Sequence, residues 1–127
     1  MDIMRRESVS DTLRVARRQV DGALILSVAG EVDLANVASL ASYLTAAAGA
    51  AERLVIDLRD LRYIDSCGIK ALLDARRFYA RGGRAIVLAA LTPSVRRTFE
   101  VLQVEQVVPV FPTVEAAVES FNGGKKT

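Results

Sequence analysis

Four short apolar runs punctuate this chain, and a stretch of helical period follows each of them. The runs are Ala23 to Ala29, Leu54 to Leu58, Ala85 to Ala89 and Val107 to Val110. Short apolar runs bounded by turn residues read as strands. The stretches after them are Leu34 to Ala48, about Ser66 to Arg81, Pro93 to about Gln103, and a last one from Thr113 to about Phe121. An alternating segment beginning Leu13-Arg14-Val15-Ala16 comes earlier, and Asp21-Gly22 after it is a hairpin turn signal. The predicted order is β-β-α-β-α-β-α-β-α. A hairpin followed by strand–helix alternation implies an α/β fold: a single domain with a mixed, mainly parallel β-sheet and helices packed against it.

The ends of the helices carry their own signals. Asp33 reads as the N-cap of the first helix and Gly49 as its stop. Gly82-Gly83 ends the second helix, Thr92-Pro93 is a cap followed by proline at the first helical position, and Thr113 caps the last. The length of 127 residues suits one domain. Residues 1–12 are expected to be a flexible N-terminal segment, 13–121 the folded domain and 122–127 a flexible tail.

Composition narrows the function. Half of the chain is apolar, enough for a real core, and the aromatic content is low, so aliphatic packing must supply most of the burial. The net charge of +2 is spread along the chain, with Arg5, Arg6, Arg17 and Arg18 countered by Asp2, Glu7, Asp11 and Asp21. No basic block with interleaved aromatics occurs, so no nucleic-acid partner is expected. There is no histidine, which removes histidine triads, His metal sites and imidazole proton shuttles. The one cysteine forbids an internal disulfide and fits a reducing cytosol. No secretory signal is seen, and charges interrupt every apolar tract well before the ~20 residues a membrane helix needs. The expectation is a cytoplasmic protein that does not insert into membranes, with no cofactor and no metal.

In sheets of this kind, functional loops gather at the carboxyl ends of the strands. Three loops fall there: Gly30 to Asp33, Asp65 to Gly68, and Leu91 to Ser94. The middle one is the most specific. Leu54-Val55-Ile56 runs into a polar turn, Tyr63-Ile64 follows, and Asp65-Ser66-Cys67-Gly68 leads straight into Ile69, Leu72 and Leu73 at helical spacing. Either Ser66 or Asp65 stands at the helix N-cap. A serine there serves as a plain cap, worth ~1 kcal/mol against alanine. By itself that is what a serine at a helix start most often does; the same position is also a hydroxyl that another protein can phosphorylate, because free N–H groups and the helix dipole favour an anion. The modification would add ≈ −1.5 to −2 charges next to Asp65, altering a binding surface with no refolding. Cys67 and Gly68 are small and leave room for an approaching enzyme.

Asp65-Ser66-Cys67-Gly68-Ile69 resembles the Asp-Ser-small-Gly-Leu/Ile signature of STAS domains, the anti-sigma factor antagonist family. Gly30-Glu31-Val32-Asp33 is similar to that family's Gly-Glu-Leu-Asp loop, and Leu54 to Leu58 fits the strand before the signature. Thr92-Pro93-Ser94-Val95-Arg96-Arg97-Thr98-Phe99 resembles its later Pro-x-Val-basic-basic-x-Phe helix. The match runs in order from residue 13 to 121. The resemblance implies a switch protein and not an enzyme. An anti-sigma factor with serine kinase activity would phosphorylate Ser66. The unmodified form would bind that anti-sigma factor and free a sigma factor, and a metal-dependent serine phosphatase would restore it. STAS domains also occur as scaffold subunits of stress-signalling complexes and lipid-transport ATPases, the alternative reading.

Other candidates sit around the same turn. Glu31 and Asp33 are expected at the same sheet end, as partner contacts, as a solvated acid and a helix cap, or as both. Lys70, Asp74, Arg77 and Arg81 share one helix face opposite Ile69, Leu72 and Leu73. From spacing alone that is a solvated face with Lys70–Asp74 and Asp74–Arg77 pairs, Lys70 also being within reach of a phosphate on Ser66. The resemblance adds Asp65, Ser66, Cys67, Gly68, Lys70, Asp74 and Arg77 to a partner-binding surface. A redox role for Cys67 meets opposition from Asp65 and has no resolving cysteine. No phosphate-binding glycine loop with lysine exists, so nucleotide hydrolysis has no support.

Overall fold

The computed structural model of the chain describes residues 5–8 and 12–122. In chain order the elements are β1 (Arg5–Ser8), β2 (Leu13–Val20), β3 (Ala23–Val32), α1 (Val37–Ala48), β4 (Arg53–Asp57), β5 (Leu61–Ile64), α2 (Ser66–Arg81), β6 (Ala85–Ala89), α3 (Pro93–Val101), β7 (Val110–Phe111) and α4 (Val114–Asn122). A 3₁₀ turn, Val104–Gln106, links α3 to β7.

Seven strands among the described residues form one sheet in the order β1-β2-β3-β4-β6-β7, with β5 paired to the far half of β3. β1–β2 and β2–β3 are antiparallel, and all other pairs are parallel. The mixed sheet expected from strand–helix alternation is therefore present. β3 is the longest strand and does two jobs. Its first half pairs with β4 from Leu24 to Ser27, and its second half with β5 from Gly30 to Val32.

Alternation on the central strands sorts side chains into two cores. Leu24, Leu26, Leu54, Ile56 and Leu88 face a large core completed by Leu40 and Leu44 of α1, Ile69, Leu72 and Tyr79 of α2, and Val95 and Phe99 of α3. Ile25, Val55 and Val87 face a smaller one under Val114, Ala117 and Val118 of α4. Burial of this aliphatic area, at roughly 25 cal/mol per Å², is what holds the helices to the sheet.

The differences from the sequence reading have local causes. Arg5–Ser8 was expected in a flexible segment, yet it pairs with β2 along its whole length. An outer strand is held by backbone hydrogen bonds and needs no apolar pattern. Residues 1–4, 9–11 and 123–127, where flexible ends were expected, lie outside the described residues. β5 is a strand that the sequence reading does not contain: there Tyr63-Ile64 is only an apolar pair after a polar turn. Its burial pattern runs buried, exposed, exposed, buried, which breaks strict alternation at the point where its register on β3 shifts between Gly30 and Glu31. α1 starts at Val37 and not at Leu34, because residues 33–36 form a tight turn around the Asn36 side chain. The predicted strand 107–110 shrinks to Val110–Phe111. Gln103 adopts a left-handed conformation with φ 57° and ends α3, and the chain then tightens into the 3₁₀ turn.

Two buried positions make this arrangement testable. Gly30 has φ +99°, and a Cβ there would land on the carbonyl oxygen of Thr12. Its neighbour's amide, Glu31 N–H, donates to that same oxygen at 2.7 Å. Gly30→Ala should destabilise the domain by about 3 kcal/mol or more, read by urea denaturation. Tyr79 is fully buried, and its hydroxyl finds no hydrogen-bond partner among the described residues. Burial pushes its pKa up to about 12, against the opposing pull of Arg84 and Arg17. A folded-state pKa raised above the unfolded value contributes stability that is complete below pH ~10 and lost as pH rises through about 12. Tyr79→Phe should therefore be neutral to stabilising by about 1 kcal/mol at pH 7. It should also flatten the loss of melting temperature between pH ~9 and ~11 relative to the parent protein.

Candidate functional site

The carboxyl ends of β3 and β5 lie side by side, since Val32 pairs with Ile64 and the Asp65 N–H donates to the Val32 carbonyl at 3.2 Å. This places the Asp65–Gly68 turn next to the loop after β3. The third predicted loop joins them: Thr92 Oγ1 donates to the Leu61 carbonyl at 3.2 Å and Ser94 Oγ to that of Arg62 at 3.4 Å. All three loops read from the sequence gather at one end of the molecule.

Asp65, not Ser66, is the N-cap of α2. Its backbone is extended, with φ −96° and ψ −175°, and its Oδ1 accepts from the Gly68 N–H at 3.1 Å. Ser66 is the first residue of the helix and is exposed. Because the cap is made by its neighbour, the serine hydroxyl has no structural duty in the turn. The first N–H groups of a helix lack intrahelical acceptors, so an anion placed on Ser66 meets donors and the positive end of the dipole.

Gly68 explains how the turn is positioned. It is buried, and a Cβ on it would stand 2.6 Å from Ile64 Cγ1 and 2.7 Å from Val32 Cγ1. Only a residue without a side chain lets the first turn of α2 settle directly on the ends of β3 and β5. Cys67, beside it, is half-buried and faces a groove between α1 and α2.

Of the two acidic residues expected at this rim, Glu31 forms an ion pair with Arg62 at 3.5 Å across the β3–β5 pair. Asp33 does not cap the α-helix. Its Oδ1 accepts from the Ala35 N–H, and its carbonyl accepts from Asn36 and Val37 N–H. Asn36, buried, ties the loop together: its Nδ2 donates to the Glu31 carbonyl at 3.0 Å and to Thr12 Oγ1 at 3.3 Å, and its Oδ1 accepts from the Asp33 N–H. The sequence reading passed over Asn36, since a polar residue three positions past an aspartate looks like one more solvated side chain. It also passed over Leu34 and Tyr63, which are 75% and 51% exposed at the same end. Leu34, a large apolar residue in an otherwise polar turn, was the available signal, whereas the exposure of Tyr63 on β5 follows from the sheet.

Along α2, Lys70 Nζ bonds Asp74 Oδ2 at 2.9 Å and Arg77 Nη1 bonds Asp74 Oδ1 at 3.2 Å, on an exposed face. The Lys70 hydrogen bond, more than its charge or that of Arg77, holds the Asp74 carboxyl below its ordinary pKa. Of the two roles open to Lys70, the structure shows the pair with Asp74. No group of three or more His, Cys, Asp or Glu among the described residues is placed to hold a metal ion, and no described helix is long and apolar enough to cross a membrane.

Known proteins share both the sequence pattern and the fold. The STAS domain family pattern matches residues 14–117. BtrV of Bordetella bronchiseptica is 33% identical over 110 residues, which cover 86% of this chain and 95% of that one. The anti-sigma-F factor antagonist RsfA of Mycobacterium tuberculosis is 30% identical over 115 residues, covering 88% and 90%. The crystal structure of an anti-sigma factor antagonist from Mycobacterium paratuberculosis superposes with a TM-score of 0.78 at 25% identity, over 90% of this chain and 97% of that one. With the Asp-Ser-Cys-Gly turn seated where β5 meets α2, the chain belongs to the STAS domain family of anti-sigma factor antagonists.

Proposed function

We propose that this protein is a phosphorylation-controlled partner switch. With Ser66 unmodified it binds an anti-sigma factor of the serine-kinase type and frees a sigma factor; with Ser66 phosphorylated it lets that partner go. The observation that carries this reading is the exposed Ser66 hydroxyl at the first position of α2, between a neighbouring carboxylate that makes the cap and a buried glycine. Glu31, Asp33, Asp65, Cys67 and Gly68 lie around the Asp65–Gly68 turn, Lys70, Asp74 and Arg77 continue along α2, and together they form the surface the partner covers. The relatives' naming as anti-sigma factor antagonists supports the same reading.

The chain is a substrate here, not a catalyst. Ser66 Oγ bonds to the γ-phosphorus of ATP as the bond to ADP breaks, and the hydroxyl proton leaves to a base supplied by the kinase. The product adds ≈ −1.5 to −2 charges at pH 7 beside the Asp65 carboxylate. The helix N-terminus accommodates this charge without refolding. A partner that had covered a neutral hydroxyl must now desolvate a dianion, which costs several kcal/mol unless it brings its own cations. Release follows from that penalty. A metal-dependent serine phosphatase hydrolyses the ester and resets the switch. Sigma factors, ATP and a lone reduced cysteine all belong to the cytoplasm, where we place it.

The test is incubation with a purified kinase-type anti-sigma factor and ATP, with mass mapping of the modified peptide. Phosphate should appear on Ser66. Ser66→Ala should bind within about twofold of the parent and take no label, because the hydroxyl is not a structural cap. Ser66→Asp should weaken binding by about tenfold or more. Label retained on the Ser66→Ala protein would overturn the assignment.

A further inference from the structure

In the unmodified protein Lys70 is held by Asp74, yet it stands one helical turn from Ser66 as well. Ser66, Lys70 and Asp74 follow one another at intervals of four residues. Their side chains therefore line one face of α2, each about 6 Å further along the axis. All three residues are exposed, the Lys70 side chain at 78% and that of Asp74 at 48%. Lys70 sits midway between the two, and its long stem can serve either.

Three effects decide which neighbour it takes once Ser66 carries phosphate. The first is order along the helix. An acid four residues before a lysine makes the better pair, because helical side chains lean toward the N-terminus. Lys70–Asp74 has the lysine first, whereas a phosphate on Ser66 puts the acid first. The second is charge. The phosphate brings ≈ −1.5 to −2 charges and three acceptor oxygens. Asp74 brings one charge and shares it with Arg77 at 3.2 Å. The third is what must be given up. An exposed lysine–carboxylate pair is weak, and Asp74 keeps Arg77 when Lys70 leaves.

The surroundings add a reason for the exchange. Asp65 stands beside the new charge and repels it, and its Oδ1 is committed to the Gly68 N–H at 3.1 Å. Arg62, the other cation at this rim, is paired with Glu31 at 3.5 Å.

We propose that Lys70 exchanges partners when Ser66 is modified: it holds Asp74 in the unmodified protein and the phosphate in the modified one. The proposal rests on the partner-switch reading, which supplies the phosphate. Modification then alters α2 at two places. One is Ser66 itself; the other lies two turns further on, where Asp74 is left to Arg77 alone. The change travels along the helix surface through one side chain, with no movement of the backbone.

The test uses the full chain with phosphoserine installed at position 66 during translation, so that no kinase is needed. It is compared with its Lys70→Met and Arg62→Met variants, each shown to be folded by circular dichroism and thermal melting. Phosphorus NMR follows the second ionisation of the phosphate. In the parent it should fall about 0.3 pH unit or more below that of Lys70→Met, and the gap should shrink at about 1 M salt. Arg62→Met should titrate like the parent. Carbon NMR follows the Asp74 carboxyl. Phosphorylation should raise its pKa toward the ordinary aspartate range, because the Lys70 hydrogen bond that lowers it is gone, and should raise it less in Lys70→Met. Equal phosphate titration in the parent and Lys70→Met overturns the exchange. So does an Asp74 carboxyl that phosphorylation leaves unchanged, or a gap lost in Arg62→Met, which would make Arg62 the counter-ion. In parallel, the unmodified chain is incubated with kinase-type anti-sigma factors and ATP. Label on Ser66 with no effect of Lys70→Met on the phosphate sinks the exchange and leaves the switch standing. No label on Ser66 sinks the switch, and the exchange loses its phosphate with it.

Discussion

The site depends on one close approach. The first turn of α2 lies directly on the ends of β3 and β5, with Gly68 against Ile64 and Val32 at a distance no side chain would allow. That approach settles the direction of the helix. It turns Ile69 and Leu72 into the large core and leaves Ser66 at the rim. Gly30, two residues before Val32 on β3, makes a matching approach: its missing side chain leaves room for the Thr12 carbonyl just before β2. Two glycines thus set the geometry around a serine that itself holds nothing together.

Division of labour between Asp65 and Ser66 follows from this geometry. A helix start needs an acceptor for its orphan N–H groups, and Asp65 supplies it. The hydroxyl one residue later is then free to change state. Had the serine been the cap, modifying it would have disturbed the turn, and the signal would have been partial unfolding. With Asp65 as the cap, a charge added to Ser66 would leave the turn's own hydrogen bond in place. The ion pairs nearby are exposed and weak individually, so Glu31–Arg62 and Lys70–Asp74–Arg77 shape the surface potential more than they stabilise the domain.

Serine rim and helical groove form one continuous surface with two chemistries. The rim is polar and switchable, and it carries Leu34 and Tyr63 as apolar points. The groove is lined mainly by small and aliphatic side chains, with Thr45 and Asp74 among them.

Much of this was legible in the residues. The βα order, the helix from Ser66 to Arg81, the Thr92-Pro93 start of α3 and the Thr113 cap of α4 are written in local signals, because caps and periodicity act within one or two turns of chain. The motif order also pointed to the family. What could not be read was set by contacts distant in sequence. β1 exists because β2 offers it a backbone edge, and β5 because the far half of β3 lies open beyond β4. Asn36 is buried because Thr12 and the Glu31 carbonyl converge on it. Sequence alone determined the four helices, most of the strands and that a serine stands at a strand-to-helix junction. Tertiary structure decided that Asp65 takes the cap, that Gly68 must be bare, and that a groove opens beside the serine. Those outcomes depend on how closely separate elements pack, a distance no local pattern encodes.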